Sequence, residues 1–266
     1  KVVGSPPNHE VKTAGAAIPL LTGLVVLADW LASDENFVSK SPLRMLHDSP
    51  ASYYSARKRQ AQNHLPTTVG LPVTPSAEDF VHLFGFPPSR PVQQWVTTAD
   101  DHSGLAIVAV PMGEGKTETA LWRHIAGFRS EGLVFALPTT ATADSMFDRV
   151  LGTYEGTDTF AQLSHGKARL NSFYTDSSAA PTNICGDDES SLDGPKPGTW
   201  FQGTHRSVSA PVTVCTCDQI LAASVSHKFL PLRLATIANK HVVLDEVHTY
   251  DAYQHVLLTR LLGWLG

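Results

Sequence analysis

Two short clusters hold the side chains best equipped for chemistry. One is the run Ala109-Val110-Pro111-Met112-Gly113-Glu114-Gly115-Lys116-Thr117; the other is Asp245-Glu246-Val247-His248. A lysine and a threonine behind two glycines suit a polyphosphate. Glycines let phosphate oxygens reach the backbone, and amide N–H groups with the positive helix end then face the negative charge. The lysine reaches the outer phosphates and the hydroxyl ligates Mg²⁺. Met112, Gly113, Glu114, Gly115, Lys116 and Thr117 are therefore the candidate cofactor-binding loop. The strict pattern asks for glycine six residues before the lysine, where Val110 stands. Adjacent carboxylates at a strand tip point in different directions. Asp245 can share a Mg²⁺ with Thr117, and Glu246 can orient or deprotonate a water. Lys116, Asp245 and Glu246 are the candidate catalytic groups.

Elements must bring these clusters together. Leu105–Val110 is short, β-branched and apolar on both faces, which predicts a buried parallel strand before the loop. Thr117–Phe128 has Ala120, Leu121, His124 and Phe128 at helical spacing. Further strands are expected at Leu133–Leu137, Thr159–Leu163, Val212–Thr216 and His241–Leu244. Helices are expected from Arg90, over Ala141–Leu151 and from Asp218. Cys215 and Cys217 both read as strand residues. Strands alternating with helices mean a parallel sheet covered on both faces, which binds ligands at the carboxyl ends of its strands. Every motif falls at such an end. The polar segment 171–199, with Asp187-Asp188-Glu189, reads as a mobile insertion.

Upstream the pattern is helical. Ile18, Leu20, Leu21, Leu24, Val25, Leu27, Ala28 and Leu31 make a helix apolar nearly all round, expected in a core. Asp29 interrupts it, and a buried carboxylate needs a partner or a metal; a boundary residue that hydrogen-bonds locally is the simpler reading. Ser52–Gln62 reads as a helix with a basic face. Leu71–Pro91 is proline-rich and carries one short helix, Ala77–Phe84.

Composition narrows the class. The chain has 266 residues, 42% of them hydrophobic, and a net charge of −5, so nucleic-acid contact must be local rather than driven by a global basic field. Three cysteines give no disulfide framework and suit a reducing cytoplasm. Ile18–Ala32 contains Pro19, Gly23 and Asp29 and falls short of the ~20 apolar residues that span a bilayer, so no membrane partner is expected.

As an ordered set, Gly-Glu-Gly-Lys-Thr, Pro138-Thr139-Thr140, Thr216-x-Asp218-Gln219 and Asp-Glu-Val-His resemble the motifs of a superfamily-two helicase. The closer resemblance is to the CRISPR-associated helicase–nuclease of type I systems. Arg90-Pro91-Val92-Gln93 and His165-Gly166-Lys167-Ala168-Arg169 resemble two of its segments. Ala28-Asp29-Trp30 resembles the last helix of its HD-type nuclease domain. The resemblance implies an α/β fold: a RecA-like parallel sheet with helices on both faces, preceded by the all-helical C-terminal end of an HD-type nuclease domain. It implies domains at 1–48 (nuclease end), 49–89 (helical linker) and 90–266 (first RecA-like lobe). ATP and Mg²⁺ are the implied cofactors, with a divalent transition metal in the nuclease domain.

By the same resemblance Gln93 reads the adenine edge, and Asp29 is the last ligand of the nuclease metal. Pro138, Thr139, Thr140, Thr216, Asp218 and Gln219 lie along single-stranded DNA. His248 couples the ATP and DNA sites. Read alone, Gln93 is equally a helix-start residue and Thr139 or Thr140 a helix cap. The implied function is an ATP-dependent single-stranded DNA translocase coupled to a nuclease in CRISPR interference. Its implied partner is a surveillance complex with guide RNA. A DExH RNA or DNA-repair helicase, or a non-hydrolysing nucleotide-binding regulatory module, is the alternative. The chain is expected to be an internal fragment, weakly active alone because its arginine finger would come from the second lobe.

Overall fold

The computed structural model describes residues 8–34, 37, 49–76, 78–99, 102, 104–128, 131–171, 173, 174, 198–202 and 205–265. Its centre is a parallel sheet of four strands: β1 (Gly132–Leu137), β2 (Ala161–Ser164), β3 (Val212–Thr216) and β4 (Lys240–Leu244). Their spatial order is β2-β3-β1-β4, with Phe135 opposite both Val214 and Val243. All six residues of β1 are buried, as a central strand covered on both faces must be.

Alternation along β1 sorts the core into two layers. Leu133, Phe135 and Leu137 face helices α5 (Lys116–Gly127) and α6 (Thr140–Thr153), packing with Leu121, Phe147 and Val150. Val134 and Ala136 face the other way, toward α7 (Cys217–Leu221), α8 (Leu230–Ile237) and α9 (Ala252–Leu265), packing with Ile220, Leu234 and Leu261. The expected parallel sheet with helices on both faces is what forms.

Upstream, α1 (Asn8–Ala32) and α2 (Pro50–Thr68) precede α3 (Phe80–Phe84) and α4 (Pro91–Thr98). The α1 helix packs on α8, and Gly23 makes that possible: a Cβ there would lie 2.2 Å from the Pro231 carbonyl oxygen. Leu27, Trp30 and Leu31 complete this seat against Trp200 and Phe201. The Arg206 guanidinium lies 5.0 Å from the Trp30 ring centroid and 4.9 Å from that of Trp200.

Four local expectations need correction. Leu105–Val110 joins no ladder; Ala106, Val108 and Val110 are half-buried, while Leu105 and Ile107 are 69% and 84% exposed. Among the described residues only one side of this segment is covered, so its two-faced apolar character is not matched by two packing layers. The α1 helix is likewise not enclosed. Ile18, Leu21, Leu24 and Val25 are exposed, because α8 covers one stripe of a helix that is apolar all round. Asp29 is exposed rather than buried, so its carboxylate needs no partner. Cys217 begins α7 rather than extending β3, because the ladder ends at Thr216 opposite Leu137. Most of the expected insertion at 171–199 lies outside the described residues.

A histidine stack backs α5. His124, fully buried, shares a 2.7 Å hydrogen bond between its Nε2 and the Tyr154 hydroxyl. His241 of β4 stacks on it at 5.5 Å and on Phe128 at 4.4 Å. Burial pushes His124 down to about 4. Burial first, then the neighbouring charges of His124 and Arg123, push His241 to about 3. Below about pH 6.5 the unfolded chain takes up protons that the folded pair refuses. Stability is therefore whole above pH 6.5 and falls as pH drops toward 4. His124 alone accounts for about 3 kcal/mol, at ~1.4 kcal/mol per pH unit of displacement. His241→Phe keeps the stack on Phe128 and removes one titrating group. Melting temperatures between pH 7 and 4 should fall less steeply for this variant than for wild type; equal slopes would exclude the mechanism.

Candidate active site

The site is assembled around the first turn of α5. Gly115 is its N-cap at φ +80°, and Gly113 lies at φ +81°; both occupy the left-handed region where only glycine is unstrained. At Gly115 a Cβ would also sit 2.2 Å from Gln93 Nε2, so the loop backbone rests directly on that side chain. Gln93 is 3% exposed, and its Oε1 accepts the Arg90 N–H at 3.2 Å. Gln93 thus acts as the helix-start residue of α4, and it also touches the phosphate loop. Arg90 Nη1 lies 3.6 Å from Glu114 Oε1, a second tie between α4 and the loop.

The acidic pair reaches the same place from β4. Asp245 N–H donates to the Ala136 carbonyl, carrying the ladder one residue past the strand. The chain then turns sharply. Glu246 lies at φ +51°, alone in the left-handed region among the described non-glycine residues. Its N–H donates to Asp245 Oδ1 at 2.9 Å, which fixes the aspartate rotamer. Burial pushes the Asp245 carboxyl above its ordinary range, against the opposing effects of the Glu246 N–H bond and then Lys116. Lys116 Nζ stands 3.8 Å from Glu246 Oε1 and 3.5 Å from the Val110 carbonyl. Glu246 Oε2 lies 3.2 Å from His248 Nδ1.

A cleft of about 480 Å³ joins these groups. Its walls include Met112, Gly113, Lys116, Thr117, Asp245 and Glu246. Gln93 and Gly115 line it as well, whereas Glu114 faces Arg90. Two hard oxygen donors, the Thr117 hydroxyl and the Asp245 carboxylate, suit Mg²⁺. Sequence patterns gave no signal for Phe86, Ser89, Glu118 and Arg149, which also line the cleft. They belong to no motif; contact through the fold is what reveals them.

The remaining candidates lie at the same ends of the strands but outside the cleft. Pro138-Thr139-Thr140 follows β1, where the Thr139 hydroxyl accepts the Thr142 N–H and caps α6. Thr216 is nearly buried at the end of β3. Asp218 Oδ1 accepts from Gln254 Nε2 at 3.2 Å. Gln219 is held by Arg233, whose Nη1 donates to its carbonyl at 2.6 Å. Asp29 sits on α1, away from this cluster. Among the described residues no group of three His, Cys, Asp or Glu side chains could hold a metal ion. The described residues around Asp29 therefore do not by themselves build a metal centre.

A parallel sheet whose strand tips carry a glycine–lysine–threonine loop beside an acidic pair defines a RecA-like nucleotide-binding lobe of the helicase kind. Comparison with known proteins makes the assignment narrower. No family model matches the chain. It is 36% identical to the CRISPR-associated endonuclease/helicase Cas3 of Thermus thermophilus, over 94% of its own length and 28% of that protein. It is 32% identical to the Cas3 nuclease/helicase of Streptococcus thermophilus, over 93% and 28%. Crystal structures of T. fusca Cas3 with ADP and with ATP superpose with TM-scores of 0.75 and 0.73, at 32% identity, covering 94% of this chain and 28% of theirs. A chain of a CRISPR RNA-guided surveillance complex in a pre-nicking state superposes at 0.56, with 28% identity over 94% of this chain and 24% of that one. The chain is thus similar to the Cas3 nuclease/helicases along the segment it covers, and it spans 28% of the length of the two curated relatives.

Gly115→Ala should separate the loop's two demands. It places a Cβ at positive φ, costing roughly 1 kcal/mol, and drives it into Gln93. The variant should melt several degrees lower and bind MgATP at least tenfold more weakly. Unchanged binding by titration calorimetry would show that Gln93 and the loop do not depend on one another.

Proposed function

We propose that the chain is the nucleotide-binding part of an ATP-driven translocase on single-stranded DNA, coupled to a metal-dependent nuclease in CRISPR interference. In this reading residues 1–48 end an HD-type nuclease domain, 49–89 link, and 90–266 form the first RecA-like lobe. The observation that carries it is the Lys116–Glu246 approach, which joins the phosphate loop and the acidic pair in one cleft. The ADP- and ATP-bound relatives support the choice of nucleotide.

The residues divide the work as follows. Amide groups of Gly113–Thr117 and the Lys116 ammonium receive the phosphates. Thr117 and Asp245 would hold a Mg²⁺, which when bound would supply charge neutralisation at the phosphate oxygens. In the present geometry Lys116 and Glu246 neutralise each other. A phosphate competing for Lys116 releases Glu246 to orient a water and accept its proton. His248 pairs with the other oxygen of Glu246, a contact that supports its proposed role of passing a change at the carboxylate toward the DNA side. Pro138, Thr139, Thr140, Thr216, Asp218 and Gln219 present backbone and hydroxyl groups to DNA phosphates, a mode that works without strong positive charge.

Asp29 is proposed as one ligand of the nuclease metal, with its other ligands outside the described residues. A surveillance complex carrying guide RNA is the proposed partner, by analogy with the complex-bound relative. Among the described residues no helix is long and apolar enough to cross a membrane, which agrees with a proposed cytoplasmic site of action.

The test uses Lys116→Ala and Glu246→Gln in the full-length protein. Lys116→Ala should weaken MgATP binding at least tenfold. Glu246→Gln removes the group competing for Lys116, so binding should hold or tighten, while DNA-stimulated phosphate release falls about 100-fold or more. Undiminished hydrolysis by Glu246→Gln would overturn the catalytic assignment. Stimulation by RNA but not DNA would redirect the reading to an RNA helicase.

A further inference from the structure

The motifs account for the phosphate end of the cleft and leave one wall unexplained. That wall is Arg149, on the outer half of α6, paired to Glu118 in the first turn of α5 at 2.5 Å. The Arg149 side chain is about half-exposed and Glu118 mostly covered, so the carboxylate is the fixed partner and the guanidinium the part that faces the cleft.

The geometry of α5 says which part of a nucleotide this wall meets. Lys116 and Glu118 are two positions apart, about 200° around the helix, and so leave it on opposite sides. Lys116 points to Glu246, and Glu118 points to Arg149. Arg149 is therefore on the side of α5 opposite the Lys116–Glu246 pair. The cleft lining beyond the phosphate loop consists of Phe86, Ser89, Arg90, Gln93, Glu118 and Arg149. With the phosphates at Gly113–Thr117, that region is the part of the cleft left to contact the nucleoside. A planar guanidinium, weakly hydrated and braced by a carboxylate, is suited to stack on the face of a purine.

We propose that Arg149 is a nucleobase-stacking residue, held flat by Glu118, which makes the site select a purine nucleoside triphosphate over a bare polyphosphate. The inference deepens the proposed ATP site and rests on it. Glu118 is a positioning residue here: it orients Arg149 and need not touch the ligand. Arg149 is not offered as a transition-state arginine, because its side of α5 faces away from Glu246.

Binding of MgATP and of ribose 5-triphosphate, which lacks the base, is measured by calorimetry on the full chain. Wild type should bind ATP more tightly than the baseless probe. Arg149→Ala should lose about tenfold for ATP, the size of one partly desolvated stacking contact, and nothing for ribose 5-triphosphate. Arg149→Lys keeps the charge and loses the plane, so it should not restore ATP binding. Glu118→Gln should give an intermediate loss for ATP alone. Unchanged ATP binding in Arg149→Ala, an equal loss for both probes, or full rescue by lysine would each overturn the inference. Wild type binding neither probe would bring down the proposed site itself, a different and recognisable failure.

Discussion

Everything at the site depends on one junction, the first turn of α5 held against the tip of β4. The Lys116–Glu246 pair spans it at 3.8 Å. The pair is partly exposed on both sides, so it adds little to stability. Its importance is positional. The phosphate loop has no strand ladder of its own to fix it, since Leu105–Val110 pairs with nothing among the described residues. The loop is fixed instead by what α5 touches. Leu121 packs into the sheet layer, Gln93 presses on Gly115, and His124 reaches Tyr154. Lys116 thus sits on a helix that is anchored at several points.

The same junction explains why Glu246 accepts an unusual backbone. A left-handed glutamate costs roughly 1 kcal/mol or more. The turn brings its own compensation, because the Glu246 N–H donates to Asp245 Oδ1 and the Thr249 hydroxyl donates to the Glu246 carbonyl at 2.8 Å. If the chain continued straight after Asp245, the next side chain would point to the opposite side of the sheet. The left-handed turn instead directs both carboxylates into the cleft. Strain here follows from needing two neighbours on one side.

Much of this was legible in the residues themselves. Short β-branched runs marked β1, β3 and β4, and the Gly-Glu-Gly-Lys-Thr run marked the strand-to-helix turn. These features are local, and parallel pairing then puts all the loops at one end of the sheet. What could not be read depends on burial by distant segments. Leu105–Val110 has the composition of a central strand, yet composition cannot say whether a neighbour lies on each side. The α1 helix looked enclosed because it is apolar all round, whereas α8 covers only one stripe. Arg149 and Phe86 carry no motif, and only the folding of α6 and of the Pro-rich segment around α5 brings them to the cleft.

The α1 helix also connects to the site through shared elements. Gly23 seats α1 on Pro231 and Ala235 of α8, and α8 runs directly into β4, whose end is Asp245. At the end of the same face of α1 the Arg206 guanidinium lies against Trp30 and Trp200, while Phe229 at the start of α8 meets Trp30 at 5.6 Å. The residue beside Asp29 is therefore gripped by the same layer of helices that backs the acidic pair. Close-packed helices move as units and do not deform smoothly. A shift of α8 large enough to change the tip of β4 would have to carry Trp30 with it or break the Trp30–Phe229 contact. The exposed apolar stripe of α1, by contrast, meets nothing in the α8 layer, so the tie to the site runs through one face of the helix only.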